Sequence, residues 1–250
     1  MKLWVTGWGG MLGSHVYRAA AVRGHTVRGS LHKDCPIEDV ARVWEIAQLW
    51  TPDAIINCGG APPGSSPLEM VTANALGPHI LATLQIRLVH MSTDCVYSGC
   101  VGAGRRPDPI DLYGRTKLAG ESDAPHVLNV RGSFIGKEAG FLRWLLEAKG
   151  EVEGWTRARW NGTSVAVMAE KLVELAEGDR TGVVFAGSAI RVTKAGLIQY
   201  FTEALNLPVT MRPAREPLIY RAREPDIELS DLYAALEGLV EEIKASRAKG

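Results

Sequence analysis

Residues 2–15 read Lys-Leu-Trp-Val-Thr-Gly-Trp-Gly-Gly-Met-Leu-Gly-Ser-His. A short apolar strand, Leu3–Thr6, runs directly into Gly7, Gly10 and Gly13, spaced G-x-x-G-x-x-G. Such a turn lets the backbone approach a pyrophosphate. The helix that follows, opening at Met11 and Leu12, offers unpaired N–H groups and a partial positive charge. Leu12, Val16, Ala19 and Ala20 recur at helical spacing and give that helix one apolar face. The stretch therefore predicts a strand–turn–helix unit that binds a dinucleotide.

The same alternation continues along the chain. Thr26–Ser30, Ala54–Cys58, Arg87–Met91, His126–Val130 and Val183–Ala186 read as strands. Glu38–Trp50 and Pro67–Gln85 read as helices between them. Repeated βα units predict an α/β fold with a doubly wound parallel sheet of Rossmann type, covered on both faces. Ligands in such sheets sit beyond the carboxyl ends of the strands. That rule points to Thr6-Gly7, Ser30–Lys33, Asn57–Ala61 with Cys58, Gly59 and Gly60, Ser92–Cys95, and Arg131–Ser133. Beyond residue 135 the pattern loosens. Helices are expected over Phe141–Lys149, from Thr163 or Ser164 to Gly178, over Lys194–Leu205 and over Asp231–Ala245. The expected organisation is a dinucleotide-binding domain over 1–135 plus about 180–205. A small C-terminal substrate-binding lobe would take about 136–180 and 206–250.

Composition narrows the function. The 250 residues carry 28 Lys and Arg against 28 Asp and Glu, a net charge of zero, so neither nucleic acid nor an anionic membrane is expected as a partner. No apolar run approaches the ~18 residues that cross a bilayer. The first strand begins at once and leaves no room for a signal peptide, which predicts a cytoplasmic chain. The four cysteines, Cys35, Cys58, Cys95 and Cys100, lack metal-ligand spacing and read as reduced thiols, with no metal expected.

Tyr113-Gly-Arg-Thr-Lys117 sets a phenol and an amine four residues apart, on one helix face. Ser92-Thr93-Asp94 lies upstream at a strand end, where a hydroxyl can meet the tyrosine. Several further motifs follow in order: Asn57, Thr72-Ala-Asn74-Ala-Leu-Gly-Pro78, Val89-His-Met-Ser-Thr-Asp94-Cys-Val96-Tyr97, Tyr113 to Glu121, and Val130-Arg131. Together they resemble the extended short-chain dehydrogenase/reductase family, and within it the dTDP-4-dehydrorhamnose reductase branch. The resemblance covers residues 2–135 and is looser beyond.

The resemblance implies roles. Tyr113 would give a proton to a ketone oxygen as hydride arrives. Lys117 would lower the Tyr113 pKa and bond the nicotinamide ribose, and Thr93 would hold the substrate oxygen. Asp94, Arg131 and Trp160 are substrate-side candidates, with Arg105, Arg106, Arg157 and Arg159 as further cations. The substrate implied is a 4-keto-6-deoxy nucleotide-diphosphate sugar. No acid stands at Ser30 or Leu31, and His32 and Lys33 suit a 2′-phosphate, so NADPH is expected, with NADH as the alternative. Asp34 aligns with an acid that relatives place near the adenine.

Two other functions stay open. Cys95 stands two residues after Thr93, where epimerase-reductases resembling this chain carry a catalytic cysteine, so a bifunctional 3,5-epimerase/4-reductase is an alternative. A non-catalytic NADP-binding regulatory subunit is another. The Asp-Glu pair of related dehydratases is broken here by Cys95. Dimers are common in the family, so a homodimer is expected.

Overall fold

A computed structural model describes residues 1–99 and 106–248. Cys100 and Arg105 lie outside the described residues. Seven strands form one sheet: β1 Lys2–Thr6, β2 Thr26–Ser30, β3 Ala54–Asn57, β4 Arg87–Met91, β5 Val127–Arg131, β6 Gly182–Gly187 and β7 Ile227–Glu228. Their order is β2-β1-β3-β4-β5-β6-β7, and every pairing is parallel. The chain winds outward from β1 to β2, then crosses back to β3 on the other side. The switch point lies between β1 and β3, where such sheets bind ligands.

Strand periodicity explains the two covered faces. Leu3, Val5, Ala54, Ile56, Val89, Met91, Leu128 and Val130 point to one side and pack against helices α1 Met11–Val22 and Val165–Glu177. Trp4, Ile55, Leu88 and Val127 point to the other side. There they meet α2 Val40–Trp50 and α3, a continuous rod made of Pro67–Glu69, Met70–Leu76 and Gly77–Thr83. Asp39 caps α2 through the Arg42 N–H, and Ser66 with Glu69 makes a capping box on α3. The middle of α3 is π-helical, a local widening often found at functional sites.

The remaining helices are α4 Leu112–Ala119, α5 Gly140–Glu147, α6 Val165–Glu177, α7 Lys194–Leu205 and α8 Leu232–Arg247. The domain division moves from the one expected. Helix α6 joins the sheet core through Val165, Met168, Leu172 and Val173. Helix α7 leaves it and packs Leu197, Ile198 and Phe201 into a second core with Leu142, Leu145, Trp160, Leu236 and Val240. Burial of those apolar faces decides which body each helix joins, and position along the chain does not. A seventh strand, β7, follows the Val183–Ala186 segment at the sheet edge. Gly150–Trp155 and Val209–Ala214 pair in parallel on the lobe. A small three-stranded sheet completes the lobe, with Ala158–Trp160 between Val192–Thr193 and Ile219–Tyr220. No helix is long and apolar enough to cross a membrane among the described residues.

Candidate active site

At the switch point a cavity of about 460 Å³ opens beside the glycine turn. Gly7, Gly9 and Gly10 after β1, Leu31 and His32 after β2, and Cys58–Pro62 after β3 line it, with Thr72 and Ala73 from α3. Gly7 has φ +64°, and a Cβ there would stand 2.8 Å from the Gly59 Cα. A Cβ on Gly13 would collide with the Gly7 carbonyl, so α1 can enter this close only with glycine there. Gly10 N-caps α1 with no side-chain cap bond, which leaves the N–H groups of Met11, Leu12 and Gly13 for a ligand. A cradle of free N–H groups at a helix N-terminus beside a cavity fits the pyrophosphate of a dinucleotide.

Buried polar groups hold the strand ends in place. Thr6 Oγ1 donates to Asn57 Oδ1 at 2.6 Å, the Gly59 N–H donates to the same oxygen at 3.0 Å, and Asn57 Nδ2 donates to His90 Nδ1 at 3.0 Å. Burial, helped by the Lys117 charge, holds His90 well below its usual pKa, so it is a neutral structural acceptor. Asn74, fully buried in the π segment, accepts from the Ala61 N–H at 2.8 Å and donates to the Ala61 carbonyl at 2.9 Å. These bonds fasten the cavity wall to α3.

Beyond β4, Thr93 caps a short turn through the Cys95 N–H at 3.1 Å. Its hydroxyl also stands close enough to the Tyr113 side chain to act on that phenol. Asp111 caps α4 through the Gly114 N–H at 2.7 Å and sets the helix that carries Tyr113 and Lys117. The Lys117 Nζ is buried and donates to the Met91 carbonyl at 2.7 Å. Burial draws its pKa down to about 8, while Glu121 and Cys58 pull the other way. Burial, then Cys95, raises the Tyr113 pKa, and Thr93 opposes them. In this geometry Tyr113 is a phenol at neutral pH, the proton-bearing form that a ketone reduction needs. The Lys117 amine, which the resemblance sets beside Tyr113, is held here by the strand carbonyl.

The other named residues divide. Gly7, Gly10, Cys58, Gly59, Gly60 and His32 line the cavity. Lys33 and Asp34 do not. The chain turns after Leu31, whose carbonyl accepts from the Asp34 and Cys35 N–H groups, and Asp34 is left exposed. The carboxylates that reach the cavity are Glu38 and Glu69, which sequence reasoning missed. Asp94 is buried, and its Oδ1 accepts from Thr93 Oγ1 at 3.4 Å and Cys95 Sγ at 3.6 Å. Burial raises the Asp94 pKa and pushes the Cys95 thiol up to about 11.

Arg131 stands behind the site. It binds Glu121 through two nitrogens, Nη2 at 2.6 Å and Nε at 2.9 Å, and donates to the Tyr97 hydroxyl at 3.0 Å. Its donors are thus committed to the protein, as they are not in a residue that meets substrate. Trp160 is also interior, packed in the lobe core. Arg157 pairs with Glu216, and Arg159 lies over Tyr220. Two cations that no motif announced do face the site. Arg221 Nη1 donates to Cys95 Sγ at 3.2 Å, and Lys194 stands close enough to Asp94 and Cys95 to feel their charge.

Among the described residues, His15, Glu138 and Glu242 form the one group with its ligand atoms close enough together for a metal ion.

A family model described as the RmlD substrate binding domain matches residues 1–181. A dTDP-4-dehydrorhamnose reductase of Mycobacterium tuberculosis is 31% identical over 95% of this chain and 88% of its own length. A dTDP-4-keto-6-deoxy-D-glucose reductase of Streptomyces niveus is 31% identical over 76% of this chain and 73% of its own. Among solved structures, a dTDP-4-dehydrorhamnose reductase of Bacillus anthracis in complex with NADP superposes with a TM-score of 0.86 at 19% identity, covering 96% of this chain and 99% of the other.

Proposed function

Because this chain belongs to the RmlD substrate binding domain family, whose members among its relatives are named as nucleotide-sugar reductases, we propose that it reduces the ketone of a 4-keto-6-deoxy nucleotide sugar with NADPH. It is an NAD(P)-dependent oxidoreductase. The observation that carries the reading is the gathering of Thr93, Tyr113 and Lys117 at the ends of the sheet strands, next to a glycine-built cavity that fits a dinucleotide.

Bound in the cavity, a reduced nicotinamide dinucleotide would supply the hydride for the carbonyl carbon. The N–H groups of Met11, Leu12 and Gly13 would hold its pyrophosphate, and His32, at the cavity rim, suits a 2′-phosphate. Thr93 would donate a hydrogen bond to the ketone oxygen and hold it against Tyr113. Tyr113 would transfer its phenolic proton to that oxygen as negative charge develops there. The resulting phenolate would be stabilised by the Lys117 ammonium once that group leaves the Met91 carbonyl, and then regain a proton from solvent. Cys95, with a thiol protonated at neutral pH, reads as a donor to Asp94 and not as a base, so plain reduction is favoured over epimerisation.

The same reading places the chain in the cytoplasm with reduced thiols, in keeping with free Cys35, Cys58 and Cys95. It also takes the chain to be a homodimer, for which exposed Leu68 and Val71, on one face of α3, are the supporting feature; light scattering at micromolar concentration tests that.

The central test is NADPH oxidation with dTDP-4-keto-6-deoxyglucose in heavy water, followed by mass analysis of the product. Tyr113→Phe should lower kcat by about 10²–10⁴-fold with NADPH affinity kept within about twofold. Wild-type turnover in that variant would remove Tyr113 from the mechanism. Deuterium at C3 or C5 beyond a no-enzyme control would make Cys95 an epimerisation base.

A further inference from the structure

We propose that Glu121 is a positioning residue of the active site: fixed between the two flanks of the turn that carries Thr93, it holds the proton on Lys117. The proposal rests on the reductase reading for the use made of that charge.

Glu121 follows Lys117 by four residues, just past the end of α4, and its N–H bonds back to the Leu118 carbonyl at 3.1 Å. Its side chain is only 6% exposed. Together the two residues grip consecutive positions at the end of β4. Lys117 Nζ donates to the Met91 carbonyl at 2.7 Å, and the Ser92 hydroxyl donates to Glu121 Oε1 at 2.6 Å. The far flank of the turn is tied as well. Arg131 takes both carboxylate oxygens of Glu121 and gives its Nη1 to the Tyr97 hydroxyl. Ser92 and Tyr97, on either side of Thr93, therefore hang on one carboxylate, which leaves it little freedom to turn away from Lys117.

Three titratable groups act on the Lys117 charge or respond to it: Glu121, Cys58 just after β3, and His90 within β4. Burial pushes the Cys58 thiol up to about 12 and holds the His90 imidazole well below its usual value, so neither carries charge near pH 7. Tyr113, one turn earlier on α4, is likewise a neutral phenol. Among the described residues, Glu121 is thus the anion that Lys117 feels.

Stability alone does not account for this carboxylate. Taking two charges out of water roughly offsets their attraction, so a buried ion pair adds little over neutral packing of the same volume. Lys117 supplies the missing reason. Burial drives its ammonium to shed the proton, and a fixed carboxylate nearby opposes that loss. The ammonium is the form that would steady the Tyr113 phenolate. Glu121 does not line the dinucleotide cavity and acts through Lys117.

The test is an NMR titration of the full chain carrying ε-labelled lysine, with the Lys117 signal identified by its loss in Lys117→Met. A native amide spectrum certifies that each variant is folded. Glu121→Gln should move the Lys117 midpoint down by about one pH unit or more. Arg131→Lys breaks the same fork but keeps both charges, so it should lower Tm and leave the midpoint in place. Should Glu121→Gln not fold, Glu121→Gln combined with Arg131→Met removes both buried charges, strands neither, and carries the same expected fall. A midpoint unmoved by the loss of Glu121, or lowered as far by Arg131→Lys, overturns the proposal. In the reductase assay the alkaline limb of kcat/KM should move down with the midpoint. The midpoint itself is read without substrate, so a chain that reduces no keto sugar would remove the reductase reading and leave this result standing.

Discussion

On the side of β1 and β3 the cleft is walled by backbone: Gly7, Gly9, Gly10, Gly59 and Gly60 line it. On the side of the lobe it is walled by side chains: Asp94, Cys95, Tyr113, Lys194 and Arg221. The first wall presents N–H groups that any pyrophosphate satisfies, fixed by a close strand–helix approach that tolerates almost no change. The second combines Asp94, Cys95 and Tyr113 from the sheet domain with Lys194 and Arg221 from a lobe that has its own apolar core. Cofactor binding is therefore a property of the fold, and substrate choice a property of a few exchangeable side chains.

The strongest way to break this contrast is to disturb the backbone wall. Gly7→Val puts a β-branched residue at φ +64° and a Cβ 2.8 Å from the Gly59 Cα and N. We expect a loss of about 1–3 kcal/mol from strain alone and NADPH affinity reduced by at least about tenfold. Gly182→Ala is the control. It also sits at positive φ, +86°, but nothing stands within 4 Å of its added methyl. It should cost only about 1 kcal/mol and leave NADPH binding intact. Equal effects in the two variants, measured by urea melts and fluorescence titration, would mean that close approach at Gly7 is unimportant.

The backbone wall was also the legible one. Strand, glycine spacing and helix face lie within twenty contiguous residues, and six of the seven sheet strands lie within a residue or two of their expected ends. Lys33 and Asp34 stand outside the cavity lining because a tight turn after Leu31 swings them outward, which no periodicity records. Glu38 escaped notice because its approach to the cavity depends on how that turn folds back. Gly150–Trp155 and Val209–Ala214 were unread because their pairing is long-range and their exposed faces carry Glu151, Glu153 and Arg212, which resemble loop composition. Lys194 did leave a signal. A lysine directly after a threonine cap opposes the helix dipole, and that local conflict marks a residue kept for something other than stability. Arg221 left none, since nothing near it in sequence points to Cys95.

A second prediction concerns the joint between the two walls. Lys117 is buried at the floor of the cleft, with its pKa lowered to about 8. Below that pH it is an ammonium able to stabilise the Tyr113 phenolate, and above it the charge is lost. The pH profile of kcat/KM for reduction should therefore fall above about 8, approaching about tenfold per unit. Tyr113 does not supply this limb, because burial raises its pKa and keeps it protonated. The linked stability effect has the opposite sense. Between about 8 and the unfolded lysine value of ~10.4, the unfolded chain holds a proton that the folded one has released, so this residue makes stability rise with pH. A rate that stays flat through pH 9.5 would show that the Lys117 charge is not needed.

The smallest expected effect sharpens the contrast most. Thr193 Oγ1 accepts from the Gly196 N–H at 3.0 Å and caps α7, the helix whose first residue is Lys194. Thr193→Ala should cost about 1 kcal/mol of helix capping, a fall of about 2–4 °C in Tm for a chain of this size. The cap opens the helix that buries Leu197 and Phe201 in the lobe core, apart from the core that carries the glycine turn. NADPH affinity should not move. A fall in NADPH affinity together with Tm would mean that the lobe and the sheet act as one body, and that the two walls cannot vary independently.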